Sequence, residues 1–488
     1  MHVRVRLRAP SGSVVLTAVA AGVATAMVAY VATRRIGTEG LLAPLALVLV
    51  GIVLMRPVLA VALLLTVAIV FEGIVGAGAV PSLYAPLSGR VSPFELLVVL
   101  VLVAIAGDVL RARRPLRAPP RPLSLALALL ALAMCAGVVT ALGNGVGTRT
   151  AIEALRVLLM LLLLPLAIVN LDLDQRQIKQ LLALAAALGI AKAIAGLVLT
   201  SSGGGLEIED GATLTYYEPA ANWVMLVAIV AVVAALLQRM RPPLWLLLGT
   251  PLLVASLVLS YRRSFWIAAV FALLLVLLLS TTPSGRRMLV PASLLVAGAI
   301  WVLGSTGFQA QTPLGQRIAS LSPSRLTTNK SDRYRIDERA NVLGELRRHP
   351  ISGLGLKVPW AASVQPLPVE YPNGRDYVHF APLWWWLKMG ILGLVAYFAV
   401  IGSGVLLAWR TWRLQQDRLL AAFGIGSACA LLGLMVMDTT ASFTGVDVRL
   451  TVLLGVQLGV IATLSSGGEP AAERPAPRER AVVGAAAG

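Results

Sequence analysis

Residues 123–142 read LSLALALLALAMCAGVVTAL, twenty positions without a charged side chain. As an α-helix rising about 1.5 Å per residue, such a stretch crosses ~30 Å of hydrocarbon. Similar apolar runs cover Ser13 to about Thr33 and then roughly 41–55, 58–73, 93–110, 152–170, 179–200, 219–238, 244–261, 265–280, 288–304, 382–409, 419–437 and 447–465. The 488-residue chain is 58% hydrophobic and only 13% charged, with a mean hydropathy of +0.84. A soluble protein carries about a quarter charged residues. The sequence therefore predicts an all-α, polytopic membrane helical bundle of about 12–14 transmembrane helices. A soluble enzyme, a secreted disulfide scaffold and a porin-type barrel are excluded; the barrel needs short alternating segments.

The net charge of +18, from 41 Lys and Arg against 23 Asp and Glu, follows from the basic loops of a membrane protein. No basic run is interleaved with aromatics, so nucleic acid is not an expected partner. Cys135 and Cys429 both lie inside apolar runs, and the three histidines stand at 2, 349 and 379, which argues against a disulfide framework or a multi-histidine metal site. Threading the spans alternately puts Arg111–Arg121, Arg239–Arg241, Arg286-Arg287 and Arg410–Arg418 on one side, with Arg4, Arg6 and Arg8 of the amino terminus. That side is expected to be the cytoplasm, although Arg34-Arg35 falls opposite. The expected divisions are transmembrane helices in 1–304, a hydrophilic extracytoplasmic loop at 305–381, further transmembrane helices in 382–466 and a disordered cytoplasmic tail at 467–488.

A loop this long inside a compact protein is either disordered or functional. Its stretch Asp332–Arg348 (DRYRIDERANVLGELRR) reads as an amphipathic helix with Ile336, Ala340 and Leu343 on the buried face and Ser331 as N-cap. His349-Pro350 stops the helix, and Gly353 and Gly355 read as a flexible turn. Trp384–Trp386 read as an aromatic belt.

Charges at membrane depth are costly and mark candidate sites. Arg262-Arg263, beside Tyr261, fall at the outer end of a hairpin, against the positive-inside bias. They are either snorkelling turn residues or a cationic site for a diphosphate, to which each guanidinium offers a planar fork of donors. Lys192 lies within an apolar run and reads either as a substrate contact or as a salt bridge to Glu72 or Glu153, the latter one helical turn from both Arg149 and Arg156. Glu218-Pro219 and Asn222 open the next span, with Asn222 either a ligand or a helix–helix hydrogen bond. In the long loop, Arg335 and Arg339 share one helical face apart from Arg333 and form either a solvated basic surface or a second phosphate site. His379 ends the loop, a catalyst or an interfacial polar residue; His349 reads as structural.

The run His349-Pro350-Ile351-Ser352-Gly353-Leu354-Gly355, then His379, then Leu387-Lys388-Met389-Gly390-Ile391-Leu392-Gly393-Leu394 resembles the signature of the O-antigen ligase and polymerase family. Ser260-Tyr261-Arg262-Arg263 resembles its Ser-Arg motif, and Glu218-Pro219 with Asn222 a degraded form of its N-P-N segment. The resemblance covers roughly 205–400. It implies an integral-membrane glycosyltransferase acting outside the cytoplasmic membrane, inverting, without metal or other cofactor, whose donor is a glycan on undecaprenyl diphosphate. His379 then matches the family's acceptor-side histidine, and Arg262 and Arg339 its diphosphate arginines, with Tyr261, Arg263, Arg335, Asn222 and Lys192 as further substrate contacts. One departure stands out: the family's Asn after the histidine is Phe380 here, which offers no hydrogen bond.

The implied partners are the lipid-linked donor, a glycan acceptor, the bilayer and other polysaccharide-assembly proteins. Readings from other classes are a transporter or flippase of lipid-linked oligosaccharide, favoured by Lys192, and a non-catalytic partner in polysaccharide export.

Overall fold

In the computed structural model, the described residues are 50–73, 79–87, 91–204, 206–207, 213–214, 219–279, 287, 330–368 and 374–466. The expected first span, Arg4, Arg6, Arg8, Arg34-Arg35, the span at 288–304, loop residues 305–329, Glu218, Arg286 and the tail lie outside them, as does most of 41–55.

The helices are α1 (Pro57–Val70), α2 (Pro93–Arg111), α3 (Arg121–Gly143), α4 (Thr148–Glu153), α5 (Arg156–Val169), α6 (Gln175–Ser201), α7 (Pro219–Leu237), α8 (Leu244–Leu259) and α9 (Arg263–Leu279). After them come α10 (Lys330–Arg348), α11 (Ala381–Leu414), α12 (Arg418–Met437) and α13 (Val448–Ser466). A two-residue antiparallel ladder pairs β1 (Leu206–Glu207) with β2 (Thr213–Leu214). Among the described residues, α2, α3, α6, α7, α11, α12 and α13 are long and apolar enough to cross a membrane, while α1, α5, α8 and α9 are shorter apolar helices. The chain is an all-α polytopic membrane bundle.

The span expected at 152–170 is divided in two. Ala154 and Leu155 have ψ of −20° and −17°, a tightened turn that separates α4 from α5. Elsewhere the ends follow local chemistry. At α2 the Ser92 hydroxyl accepts from the Glu95 N–H (3.2 Å), and the Glu95 carboxylate accepts from the Ser92 N–H (2.6 Å). Asp174 and Gln177 make the same box at α6.

The centre is α12 and α13, buried over most of their length, with α7 beside them. Helix α13 packs on α5, α12 on α7, α9 and α11, and α11 on α3. Gly455 and Gly459 on α13 face Leu164 and Ile168 on α5, two small residues four apart that let the helices approach closely. At the periphery α2 turns out Leu96, Val99, Val103 and Leu110, an apolar stripe suited to lipid.

The basic stretches 111–121 and 410–418 meet at one end of the bundle. There Arg117 bonds Asp172 (2.7 Å), Lys179 pairs with Asp417, and Gln175 reaches Gln415 (3.4 Å). The opposite end carries the 260–263 turn, α10 and the chain from 349 to 380.

What fixes that chain is a break in α11. Gly390 has φ 68° and ψ −165°, a conformation essentially restricted to glycine, and it interrupts the helix between Leu387 and Ile391. The segment after α10 fills the gap: the Leu354 N–H donates to the Leu387 carbonyl (2.6 Å), and the Ile391 N–H donates to the Ile351 carbonyl (3.0 Å). The Leu356 N–H reaches the Gly137 carbonyl of α3 (3.2 Å), and Asn144 donates to the Leu354 carbonyl (2.8 Å). Gly353 is thus no flexible turn, because a Cβ there would run into the carbonyls of Trp386 and Leu387. Nor does Trp385 belong to an interfacial belt. It is fully buried and donates to the Thr444 carbonyl (3.0 Å), while Trp386 holds the Pro350 carbonyl (2.7 Å).

Candidate active site

The turn between α8 and α9 consists of Ser260, Tyr261 and Arg262. Tyr261 has φ 53°, a left-handed conformation that is strained for a bulky side chain. The Ser260 hydroxyl donates to the Leu257 carbonyl (2.7 Å) and accepts from the Arg262 N–H (3.4 Å), which braces the turn. It projects two arginines at the bundle mouth. Arg263 pairs with Asp332 in the first turn of α10 (2.6 Å), and Arg335 shares the same carboxylate oxygen (3.1 Å). Asp332 therefore joins two motifs that lie far apart in the chain. Arg262 and Arg449 both act on Asp447, whose carboxyl burial pushes up while the cations pull it down.

Helix α10 is oriented opposite to expectation. Ile336 and Leu343 are exposed, and Ser331 lies inside the helix rather than capping it. Beside the apolar Val342 and Leu346, the buried face carries Tyr334, Glu338, Asn341 and Glu345, a polar stripe at helical spacing. The cause is the irregular chain beneath it, whose backbone groups need partners. Asn341 accepts from the Val364 and Gln365 N–H groups (2.7 and 2.9 Å) and donates to the Gln365 carbonyl (2.8 Å). Glu345 accepts from the Ala361 N–H (3.2 Å), and Glu338 from the His379 N–H (2.8 Å).

His379 stands at the centre of this end. Its Nδ1 lies 3.1 and 3.2 Å from the two Glu338 oxygens. Tyr334 and Tyr377 approach its ring edge-on, with centroids 5.7 and 4.8 Å away. Tyr377 is fixed in turn, donating to the Ser442 carbonyl and accepting the Ser442 N–H (both 3.1 Å), and burial pushes its phenol up. Arg339 lies over the Phe380 ring at 4.8 Å and donates to the Thr439 carbonyl (3.3 Å). Below, wholly buried Asp438 accepts from Tyr397 (3.0 Å), Thr444 (2.6 Å) and the Phe443 N–H (3.2 Å). Its burial still pushes the carboxyl up to about 6.

The structure thus brings Arg262, Arg263, Arg335, Arg339 and His379 to one mouth. Lys192 lies deeper. It donates to the Val70 carbonyl at the end of α1 (2.7 Å) and pairs with Glu72 (3.5 Å), one of the two salt-bridge partners expected for it. Glu153 instead meets Arg149 (2.9 Å) and Arg156 (3.4 Å). Asn222 is fully buried in the first turn of α7, yet neither amide atom has a hydrogen-bond partner among the described residues, so no helix–helix bond holds it. Sequence reasoning missed Asp332, Glu338 and Arg449. For Glu338 the signal was present, since Glu338, Asn341 and Glu345 repeat at helical spacing, but a polar stripe reads as solvated until its partners are known. Among the described residues, no group of three His, Cys, Asp or Glu side chains is arranged to hold a metal ion.

The fold and this mouth define a multispan membrane protein whose charged motif residues converge at one end of its bundle. Residues 248–398, from α8 into α11, match the family model of the O-antigen ligase. No curated protein matches the chain.

Proposed function

We propose that the protein transfers a glycan from a polyprenyl diphosphate, undecaprenyl diphosphate by family analogy, to a sugar hydroxyl at the outer face of the cytoplasmic membrane. It acts as a polysaccharide ligase or polymerase. The observation that carries this reading is the Arg263–Asp332–Arg335 bridge, which draws the 260–263 turn and the loop helix together beside His379. The match over 248–398 covers both motifs. The basic stretches 111–121 and 410–418 at the opposite end support an extracytoplasmic mouth.

In this reaction the acceptor oxygen forms a bond to the anomeric carbon as the bond from that carbon to the phosphate oxygen breaks. The bonding pair leaves with the diphosphate, and the hydroxyl proton passes to His379. Inversion follows from attack on the opposite face. A lipid diphosphate is already a good leaving group, so the main requirement is cationic charge where negative charge develops. Arg262, Arg335 and Arg339 meet it, with Arg263 and Tyr261 holding the mouth's shape. Lys192, which favoured a transport reading, caps α1 and pairs with Glu72, and in this scheme it supports the site from below.

In proteoliposomes supplied with a lipid-diphosphate glycan donor and an acceptor glycan, Arg262→Ala and His379→Ala are each expected to lower transfer by roughly 10²-fold or more. Melting temperatures close to the parent's would show the fold intact. Undiminished transfer by both variants would sink the mechanism.

Asn222 is read as a donor contact because a buried amide without a partner costs about 1–3 kcal/mol. Asn222→Leu should therefore raise thermal stability by about 1 kcal/mol while weakening transfer. A variant that is both more stable and fully active would remove Asn222 from the site.

A further inference from the structure

His379 is followed by Phe380, which supplies no hydrogen bond to hold an imidazole, and the Phe380 ring is covered by Arg339. Something else must set the ring's direction if the histidine is to receive a proton at one defined nitrogen. A carboxylate from α10, forty-one residues earlier in the chain, is hydrogen-bonded to His379. Glu338 is 2% exposed and grips the histidine twice, through its backbone N–H (2.8 Å) and through Nδ1 (3.1 Å). Two contacts from one carboxylate fix both the position of the residue and the rotation of its ring. The Tyr334 and Tyr377 edges, at interplanar angles of 77° and 83°, close the remaining sideways freedom.

We infer that Glu338 is the positioning residue of the acceptor-side histidine, supplying from the loop helix the orientation that an asparagine at position 380 would otherwise give. The inference rests on the reading of His379 as base. A carboxylate on Nδ1 selects the tautomer with its proton there, which leaves Nε2 as the basic nitrogen toward the acceptor hydroxyl. As that hydroxyl loses its proton, the imidazole becomes positive and the buried Glu338 charge stabilises it. Other charged and titratable groups around this end are Tyr377, on which Arg335 and Asp438 act, Arg339 over the neighbouring Phe380 ring, and the Arg263–Asp332–Arg335 bridge. Glu338 does not contact substrate in this scheme. It also makes α10 part of the active site: displacing the helix would release the histidine as well as the arginines.

The test compares Glu338→Gln, Glu338→Asp, His379→Ala and the double variant Glu338→Gln with His379→Ala in the proteoliposome transfer assay, with Glu345→Gln as control. Glu345 occupies the same buried stripe but holds the Ala361 N–H instead of the histidine. Glu338→Gln is expected to lower kcat by roughly 10²-fold with the donor KM within about threefold, and Glu338→Asp to recover part of the loss. The double variant should be no slower than His379→Ala alone, because the carboxylate acts only through the ring. Glu345→Gln should leave kcat within about threefold of the parent. Multiplicative losses in the double variant, or an equal loss in Glu345→Gln, would assign Glu338 a merely structural part and overturn the inference. An inactive His379→Ala with a fully active Glu338→Gln would overturn it while leaving the base reading standing. A fully active His379→Ala would instead remove the base reading itself.

Discussion

Glu72→Ala is expected to destabilise the protein by about 3–5 kcal/mol, measured as the shift in detergent-solubilised unfolding. Glu72 is completely buried, and two equally buried cations converge on it: Lys192 at 3.5 Å and Arg449 at 3.3 Å. The same cations also close the end of α1, Lys192 on the Val70 carbonyl and Arg449 on the Phe71 carbonyl, and Arg449 lies 5.6 Å from the Tyr84 ring centroid. Three helices of the bundle, α1, α6 and α13, therefore meet at one carboxylate. Its removal leaves two charges of the same sign facing each other out of water. The triple variant Glu72→Leu, Lys192→Met, Arg449→Met removes the charges together and should recover more than half of the loss. It should not recover all of it, because the two carbonyls of α1 lose their donors. Equal destabilisation of the single and triple variants would show that packing rather than charge dominates.

The second large effect is expected at Gly390, where valine should cost about 3 kcal/mol or more and release the 349–356 segment. The backbone there has φ 68° and ψ −165°, and a Cβ would strike the Ile351 carbonyl, the partner of the Ile391 N–H. A side chain at this position thus removes both the break in α11 and the peptide that fills it. Because that peptide anchors the far end of α10, transfer should fail with it. Hydrogen exchange at Leu354 and Ile391, together with proteolysis of the 349–368 stretch, would report the release. Gly402→Ala on the same helix is the matched control. It has open space at its Cβ position, and alanine there should be neutral or stabilising by about 1 kcal/mol. Comparable damage from both substitutions would mean that Gly390 is no special joint.

Which residues gather at this mouth was partly legible in the sequence. Arg262, Arg263, Arg335, Arg339 and His379 stand out there as charges or motif residues in an otherwise apolar chain, and they share one end of the bundle. Their division of labour was not legible. Arg263 and Arg335 share Asp332, an acid that a sequence reading has no reason to prefer over Asp337 or Glu338 on the same helix. The face of α10 was misjudged for a related reason. Periodicity ranks residues by their own hydropathy, whereas burial here answers the hydrogen-bonding needs of 361–365 and His379 as well as the packing of Val342 and Leu346.

Helix class, membrane residence and approximate span limits come from composition and run length, because hydrocarbon accepts only long apolar segments whose backbone bonds close within themselves. That logic is local, and each stretch satisfies it alone. The break at Gly390, the bridge of Arg263 and Arg335 through Asp332 and the grip of Glu338 on His379 belong to another kind of constraint. Each depends on a backbone or side-chain partner remote in the chain, and neighbouring letters carry no record of which remote groups packing will make available.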